Sequence, residues 1–218
     1  PIVSVYLTGE DVYRALEINI LLGELMGDSS FLQLSGLRYS YNPANAVLLT
    51  VPFINLPIPT THAVTTVELY TGDGIQPVHS EGYVPLERRD EKLYHVVTDA
   101  YILHFFHLVK GILPRLEIIP KNADGEPVPL ERIDELIVHH ADGRELKVWE
   151  AVVSYAAAQP LGADGIPRIP DYYEGVAGRI NKTWAFPLVG WLILILAVIV
   201  AGIIFLVFRR RKHKKAVT

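Results

Sequence analysis

A chain of 218 residues with 50% hydrophobic and 20% charged residues is long enough for one packed domain, and its lack of cysteine excludes disulfides and thiolate metal sites. The formal net charge of −4 conceals an asymmetry. The last ten residues hold six of the 20 Lys+Arg and none of the 24 Asp+Glu, so residues 1–208 carry −10. An acidic body excludes a nucleic-acid polymer as partner, because neutralising phosphates takes a basic patch.

In chain order, alternating residues predict a strand over Ile2–Leu7. Thr8 with Asp11 three positions on is a capping-box start, and Val12, Leu16 and Ile20 continue at helical spacing toward Gly23 or Gly27. Phe31–Tyr41 alternates like a strand and stops at Asn42-Pro43, with Tyr39 and Tyr41 expected half-buried on a sheet face. Further strands are expected over Ala46–Val51, Thr65–Tyr70 and Ile75–His79, the last two joined at Gly72-Asp73-Gly74. Pro52–Pro59 reads as an irregular excursion. Leu93–Thr98 reads as a strand, Ala100–Val109 as an aromatic-rich helix and Leu116–Ile119 as a strand closed by the turn Asn122-Ala123-Asp124-Gly125. After a turn at Asp142-Gly143, a helix is expected from about Glu145 to Ala158, then a Pro/Gly-rich linker over Gln159–Asp171. No internal repeat or low-complexity segment stands out. Irregular mixing of strands and helices defines an α+β class with a mixed sheet rather than a doubly wound one.

From Trp184 to Phe208 there is no charged side chain, and Arg209-Arg210-Arg211-Lys212-His213-Lys214-Lys215 follows at once. As a helix this run would reach about 37 Å, against a hydrocarbon core of about 30 Å. It is expected to be a single transmembrane helix, with Trp184 and Trp191 at one interface and residues 209–218 as a basic cytoplasmic tail. The bulk of the chain would then lie outside the cytoplasm, with the lipid bilayer as a partner. The chain begins Pro1-Ile2-Val3 without Met or signal peptide, which fits a piece of a longer exported protein.

Three stretches carry a resemblance. They are Val5-Tyr6-Leu7-Thr8-Gly9-Glu10-Asp11-Val12 with Leu16-Glu17, Phe31 through Asn42, and Tyr94-His95-Val96-Val97-Thr98-Asp99. Together, in this order, they resemble the C-terminal domain of the bacterial 5′-nucleotidase / UDP-sugar hydrolase family. The resemblance implies a substrate-binding domain over residues 1–178. It also implies a nucleotide or related phosphoester as substrate, and a metallophosphatase domain with two divalent metal ions upstream of this chain. No cofactor is expected within the chain itself. Where the family carries a Gly-Gly-Asp-Gly-aromatic loop that stacks on the base, this chain has Asp99-Ala100-Tyr101-Ile102-Leu103-His104-Phe105-Phe106-His107-Leu108. Without the glycines the backbone cannot make the same tight approach.

Asp99, His104, Phe105 and Phe106 are the candidate substrate-binding residues on position and type. Core packing of the two phenylalanines is the competing expectation. Asp99, His104 and His107 have metal-like spacing, yet spacing alone matches by chance often, so no metal is assigned. His139-His140 reads as a solvated pair. There is no Gly-rich phosphate loop, Gly-x-Ser-x-Gly or triad spacing, so the chain is not expected to catalyse anything alone. The expectation is the substrate-binding part of a membrane-anchored, extracytoplasmic phosphohydrolase of the 5′-nucleotidase type, acting in nucleotide catabolism. The alternative is a non-catalytic cell-surface binding or adhesion module on the same fold.

Overall fold

The structure is a computed structural model that describes residues 1–51, 53, 56–72, 82–173, 178–186 and 188–215. It opens with strand β1 (Ile2–Leu7), whose inner residues Val3, Val5 and Leu7 are buried. Thr8 then caps helix α1 (Gly9–Met26): its hydroxyl accepts from Asp11 N–H, and the Asp11 carboxylate accepts from Thr8 N–H at 3.2 Å. Both partners of the expected capping box are in place, and each satisfies a helix-end donor. Gly9 lies so close to the carbonyls of Glu87 and Asp90 that a Cβ would sit 2.5 Å from the former. Only glycine lets the helix start there.

Helix α1 is enclosed on several sides, and the polar residues it buries each tie down another segment. Glu17 accepts from the backbone N–H of Ala63 at 3.0 Å and of Val64 at 3.2 Å, and pairs with Arg88 at 3.1 Å. Burial pushes the Glu17 carboxyl above its usual range, and these donors offset that only in part. Asn19 accepts from Leu32 N–H at 2.6 Å and donates to the Leu32 carbonyl and to the Tyr39 hydroxyl. This clamp explains why Phe31–Leu34 is not strand as expected: Asn19 takes up the backbone of Leu32 instead of a neighbouring strand.

The principal sheet has the order β6-β5-β2-β8, built from β2 (Leu37–Tyr41), β5 (Val64–Tyr70), β6 (Tyr83–Pro85) and β8 (Ile180–Lys182). β2–β5 and β5–β6 are antiparallel and β2–β8 is parallel, so the sheet is mixed and the class is α+β. Tyr39 and Tyr41 are fully buried rather than half-buried. β3 (Val47–Val51) pairs antiparallel with β4 (Leu56–Pro59), so the proline-rich excursion contains an edge strand, a position where proline is tolerated. The expected strand Ile75–His79 and most of the turn before it lie outside the described residues.

β7 (Tyr94–Asp99) pairs antiparallel with β1 in unbroken register, Ile2 opposite Asp99 and Leu7 opposite Tyr94. It leads directly into helix α2 (Ala100–Ile112). Leu116–Ile119 is a 3-10 turn and extended coil rather than a strand.

Contrary to the sequence expectation, there is an internal repeat. Asn122–Glu126, His140–Arg144 and Gly162–Ile166 each contain Ala-Asp-Gly and close the same hairpin. In each, the glycine N–H donates to the first carbonyl and the first N–H to the fifth carbonyl; Gly125, Gly143 and Gly165 all have φ between 74° and 83°. Two of these hairpins dock along the free edge of β1. Tyr6 and Lys121 exchange backbone hydrogen bonds of 2.9 and 3.0 Å, and Ile2 bonds Leu146 and Val138 at 2.9 Å each. The third falls inside the expected linker, and among the described residues it has no strand partner. Between the second and third runs α3 (Val148–Ala157), shorter than expected because residues 145–147 belong to the second hairpin.

Helix α4 (Leu188–Lys215) follows β8. Among the described residues no helix is long and apolar enough to cross a membrane. Thr183 and Ala185, just ahead of it, are held to Tyr41 and Asn42.

Candidate functional site

α2 begins where β7 ends, because Asp99 caps it: the carboxylate accepts Tyr101 N–H at 2.7 Å. The helix buries Leu103, Phe106 and Val109 and turns Tyr101, His104 and Leu108 to solvent. Positions 103, 106, 107 and 110 fall on one stripe at i, i+3, i+4 and i+7. That stripe forms one wall of a cavity of about 240 Å³.

The opposite wall is Glu117–Pro120, and the remainder comes from Val128, Pro129, Glu131 and Ile133. This second wall has no regular structure of its own, so something must hold it. The first two turns of α1 do. Arg14 donates to the Glu117 carbonyl at 2.7 Å, and the Asp11 carboxylate faces Ile119 N–H and, at 2.9 Å, the Lys121 ammonium. Burial by itself would raise the Asp11 carboxyl, but hydrogen bonds from Thr8 and Lys121 outweigh it and leave the group below the usual carboxylate range. Asp11 is therefore a fixed anion that fastens the wall.

Leu103, Phe106, Val128 and Ile133 give the cavity an apolar floor, while His107, Lys110, Glu117 and Glu131 supply polar groups around it. Lys110 and Glu117 form an ion pair across the two walls. For scale, an apolar cavity of about 150 Å³ accommodates benzene, and pockets for drug-sized ligands start near 300 Å³. The space suits a small, ring-sized group rather than a drug-sized molecule. The lining holds no Ser, Thr or Cys nucleophile, and its polar groups are the imidazole, ammonium and two carboxylates just named.

Of the residues singled out in the sequence for substrate binding, Phe106 lines this cavity. Phe105 packs partly buried against the core, His104 points to solvent, and Asp99 is occupied in capping α2. His107 lines the cavity too. Lys110, Glu117 and Glu131 were not foreseen, and the opposed charges of Lys110 and Glu117 were the one signal in the sequence that could have linked the two walls. Among the described residues no group of three or more His, Asp or Glu could hold a metal ion, and Asp99, His104 and His107 do not form a ligand set.

A second constellation lies on the outer face of the β1–β7 ribbon. Ser4 Oγ and His95 Nε2 are 2.7 Å apart, and the His95 ring stacks on Tyr6 with centroids 5.1 Å apart. Among the described residues His95 has no carboxylate partner to orient it, so the pair lacks the third member of a triad.

The family model described as "5'-nucleotidase, C-terminal domain" matches residues 1–106, which is β1 through the middle of α2. The resemblance of this part of the chain to that domain is thus supported, and most of the cavity lining lies past its end. No curated protein sequence matches. Among solved structures, the 5′-nucleotidase precursor of Thermus thermophilus is similar over 83% of this chain and 25% of its own, at 23% identity and TM-score 0.42. The NAD nucleotidase of Haemophilus influenzae is similar over 84% of this chain and 24% of its own, at 14% identity and TM-score 0.37. The chain spans about a quarter of the length of those structures.

Proposed function

We propose that this chain is the substrate-binding part of a membrane-anchored, extracytoplasmic phosphohydrolase of the 5′-nucleotidase type, acting in nucleotide catabolism. The observation that carries the reading is the family match over residues 1–106, which ends inside α2, the helix that forms one cavity wall. The cavity would hold the base or sugar of a nucleotide or related phosphoester. Phosphoryl chemistry would fall to a metallophosphatase domain preceding Pro1, in which two divalent ions would activate water. Anchoring rests on the uncharged run Trp184–Phe208 and the basic residues after it, which would keep Thr218 in the cytoplasm.

Calorimetric titration of the full chain in detergent with adenosine, ribose 5-phosphate and UDP-glucose tests the binding role. At least one should bind, and His107→Ala should weaken it tenfold or more with the fold intact. No binding by any of the three sinks the reading. Protease added to intact cells should digest the domain and spare a C-terminal tag; cleavage of that tag from outside would sink the topology.

A second reading, a non-catalytic surface-binding module, is favoured by one observation: α2 stands where the glycine loop of the family is expected. Asp-x-His and Asn-His-Glu metal motifs in the coding sequence upstream of Pro1 would decide for the enzyme, and their absence there for the module.

A further inference from the structure

Helix α3 is built inside out. At 100° per residue, Val148, Val152, Trp149 and Val153 fall within an arc of about 140°, a coherent apolar face. All four are exposed, and the helix buries no residue at all. Its one charged residue points the other way: Glu150 is held against the second hairpin by His140 and Arg144, each at 3.3 Å. The apolar surface continues past the helix end, where the third hairpin exposes Leu161, Ile166 and Ile169. A patch of this kind marks a contact surface. The family match ends at residue 106 and does not bear on it.

Two further features say what the contact is. The chain has three tryptophans, Trp149, Trp184 and Trp191, and all are more than half exposed, at 65%, 79% and 53%. Tryptophan is normally well buried in a globular protein; outward Trp and Tyr gather at the water–lipid boundary, where an amphipathic ring is best placed. The second feature is a tether. The Tyr155 and Tyr173 hydroxyls are 3.2 Å apart with their rings edge to face, so the segment leading to α4 is tied back onto α3. From Tyr173 to Leu188 is roughly fifteen residues, at most about 50 Å of chain.

We propose that the outward face of α3, with the third hairpin, rests in the interfacial zone of the bilayer in which the run Trp184–Phe208 is proposed above to be anchored. The domain would then lie along the membrane instead of standing off it. The cations beside the face are already paired, Arg144 with Asp142 and Glu150, and Lys147 with Glu145, so lipid charge contributes little. Such a face binds weakly by itself, and the anchor compensates by holding it at high local concentration. Two copies meeting through it would instead bring together two bodies of −10 each.

The inference rests on the anchor proposed above, and the test separates the two. Full-length chains retaining only Trp149 (with Trp184→Phe and Trp191→Phe), or only Trp191, are reconstituted in phosphatidylcholine vesicles brominated near the glycerol end of the acyl chains. Trp149 fluorescence should fall at least twofold relative to unbrominated vesicles. Adding Val152→Asp with Val153→Asp should abolish that loss while the far-ultraviolet dichroism stays that of the parent. Trp191 should be quenched in every case. If Trp191 is quenched and Trp149 is not, the anchor stands and this inference is wrong. If neither is quenched, both fall. If Trp149 is shielded from bromolipid and from aqueous acrylamide alike, protein covers the face and the inference is equally overturned.

Discussion

Helices α1 and α3 have opposite relations to their surroundings. Ten of the eighteen residues of α1 are buried, three of them the polar Asp11, Glu17 and Asn19; α3 has ten residues and buries none. In α1 the surrounding protein is near enough that a polar side chain removed from water finds a backbone to bind. In α3 the charged side chain, Glu150, faces protein, and the valines face outward. Polarity alone does not reveal a helix's environment; what its polar residues bond to does. Polar residues that bond distant backbone mark an interior, as Glu17 does across 46 residues to Ala63. Polar residues that bond the adjoining turn mark a periphery.

Substitutions can break that contrast at its strong end. Glu17→Ala should have the largest effect, about 3–5 kcal/mol by urea denaturation, since it strands two buried N–H groups and Arg88. A loss under about 1 kcal/mol would show that water reaches Ala63 and Val64. Phe106→Ala should cost about 3 kcal/mol and Phe105→Ala clearly less, because the former is buried in the core and the latter only partly. Equal losses would mean that α2 is enclosed like α1.

Asp11→Asn sharpens the comparison through pH. The folded-state carboxyl lies below its ordinary 3.8, so its stabilisation is fully present above that value and is lost as pH falls through the lowered one. The variant should cost about 2 kcal/mol at pH 7, and the difference from the parent should shrink toward acid pH. Glu17 runs oppositely, its raised carboxyl making ionisation unfavourable as pH climbs above 4.5. A stability profile of the Asp11→Asn variant that parallels the parent at every pH would refute the role given to Asp11. Thr8→Ala should cost about 1 kcal/mol. Val152→Ser, on the outward face of α3, should shift stability in detergent by no more than about 0.5 kcal/mol. A loss of about 2 kcal/mol there, well beyond an ordinary surface change, would mean that α3 is packed after all.

The parts of this fold legible in the sequence are those specified locally. β1, the Thr8–Asp11 box and the β7–α2 junction each announce themselves within a dozen residues through alternation, a capping side chain or helical spacing. What escaped is specified from a distance. β4 was hidden by Pro57 and Pro59, which disfavour a strand except at an edge, and an edge is visible only once its partner is known. The repeat was hidden because five-residue hairpins recur at unequal intervals. The cavity escaped for the same reason as β4: one wall, Glu117–Pro120, has no periodicity, and its position is imposed by Asp11 and Arg14 more than a hundred residues earlier. Of the cavity lining, the sequence pattern of α2 therefore exposes one wall, with Phe106 and His107 on it, but not the wall that faces them.

The last strand of the sheet has a kinetic consequence. β8 contributes three residues, yet it borders β2 across some 140 positions of chain, and Tyr39 N–H waits for the Arg179 carbonyl. Contacts so remote in sequence demand that loop-closure entropy be met before they return any stability. Until residue 182 has been synthesised, β2 presents an open flank to any other extended chain, the usual route to mispairing. A chain cut at residue 178 should therefore aggregate more than one cut after Ala185, although the two differ by only seven residues.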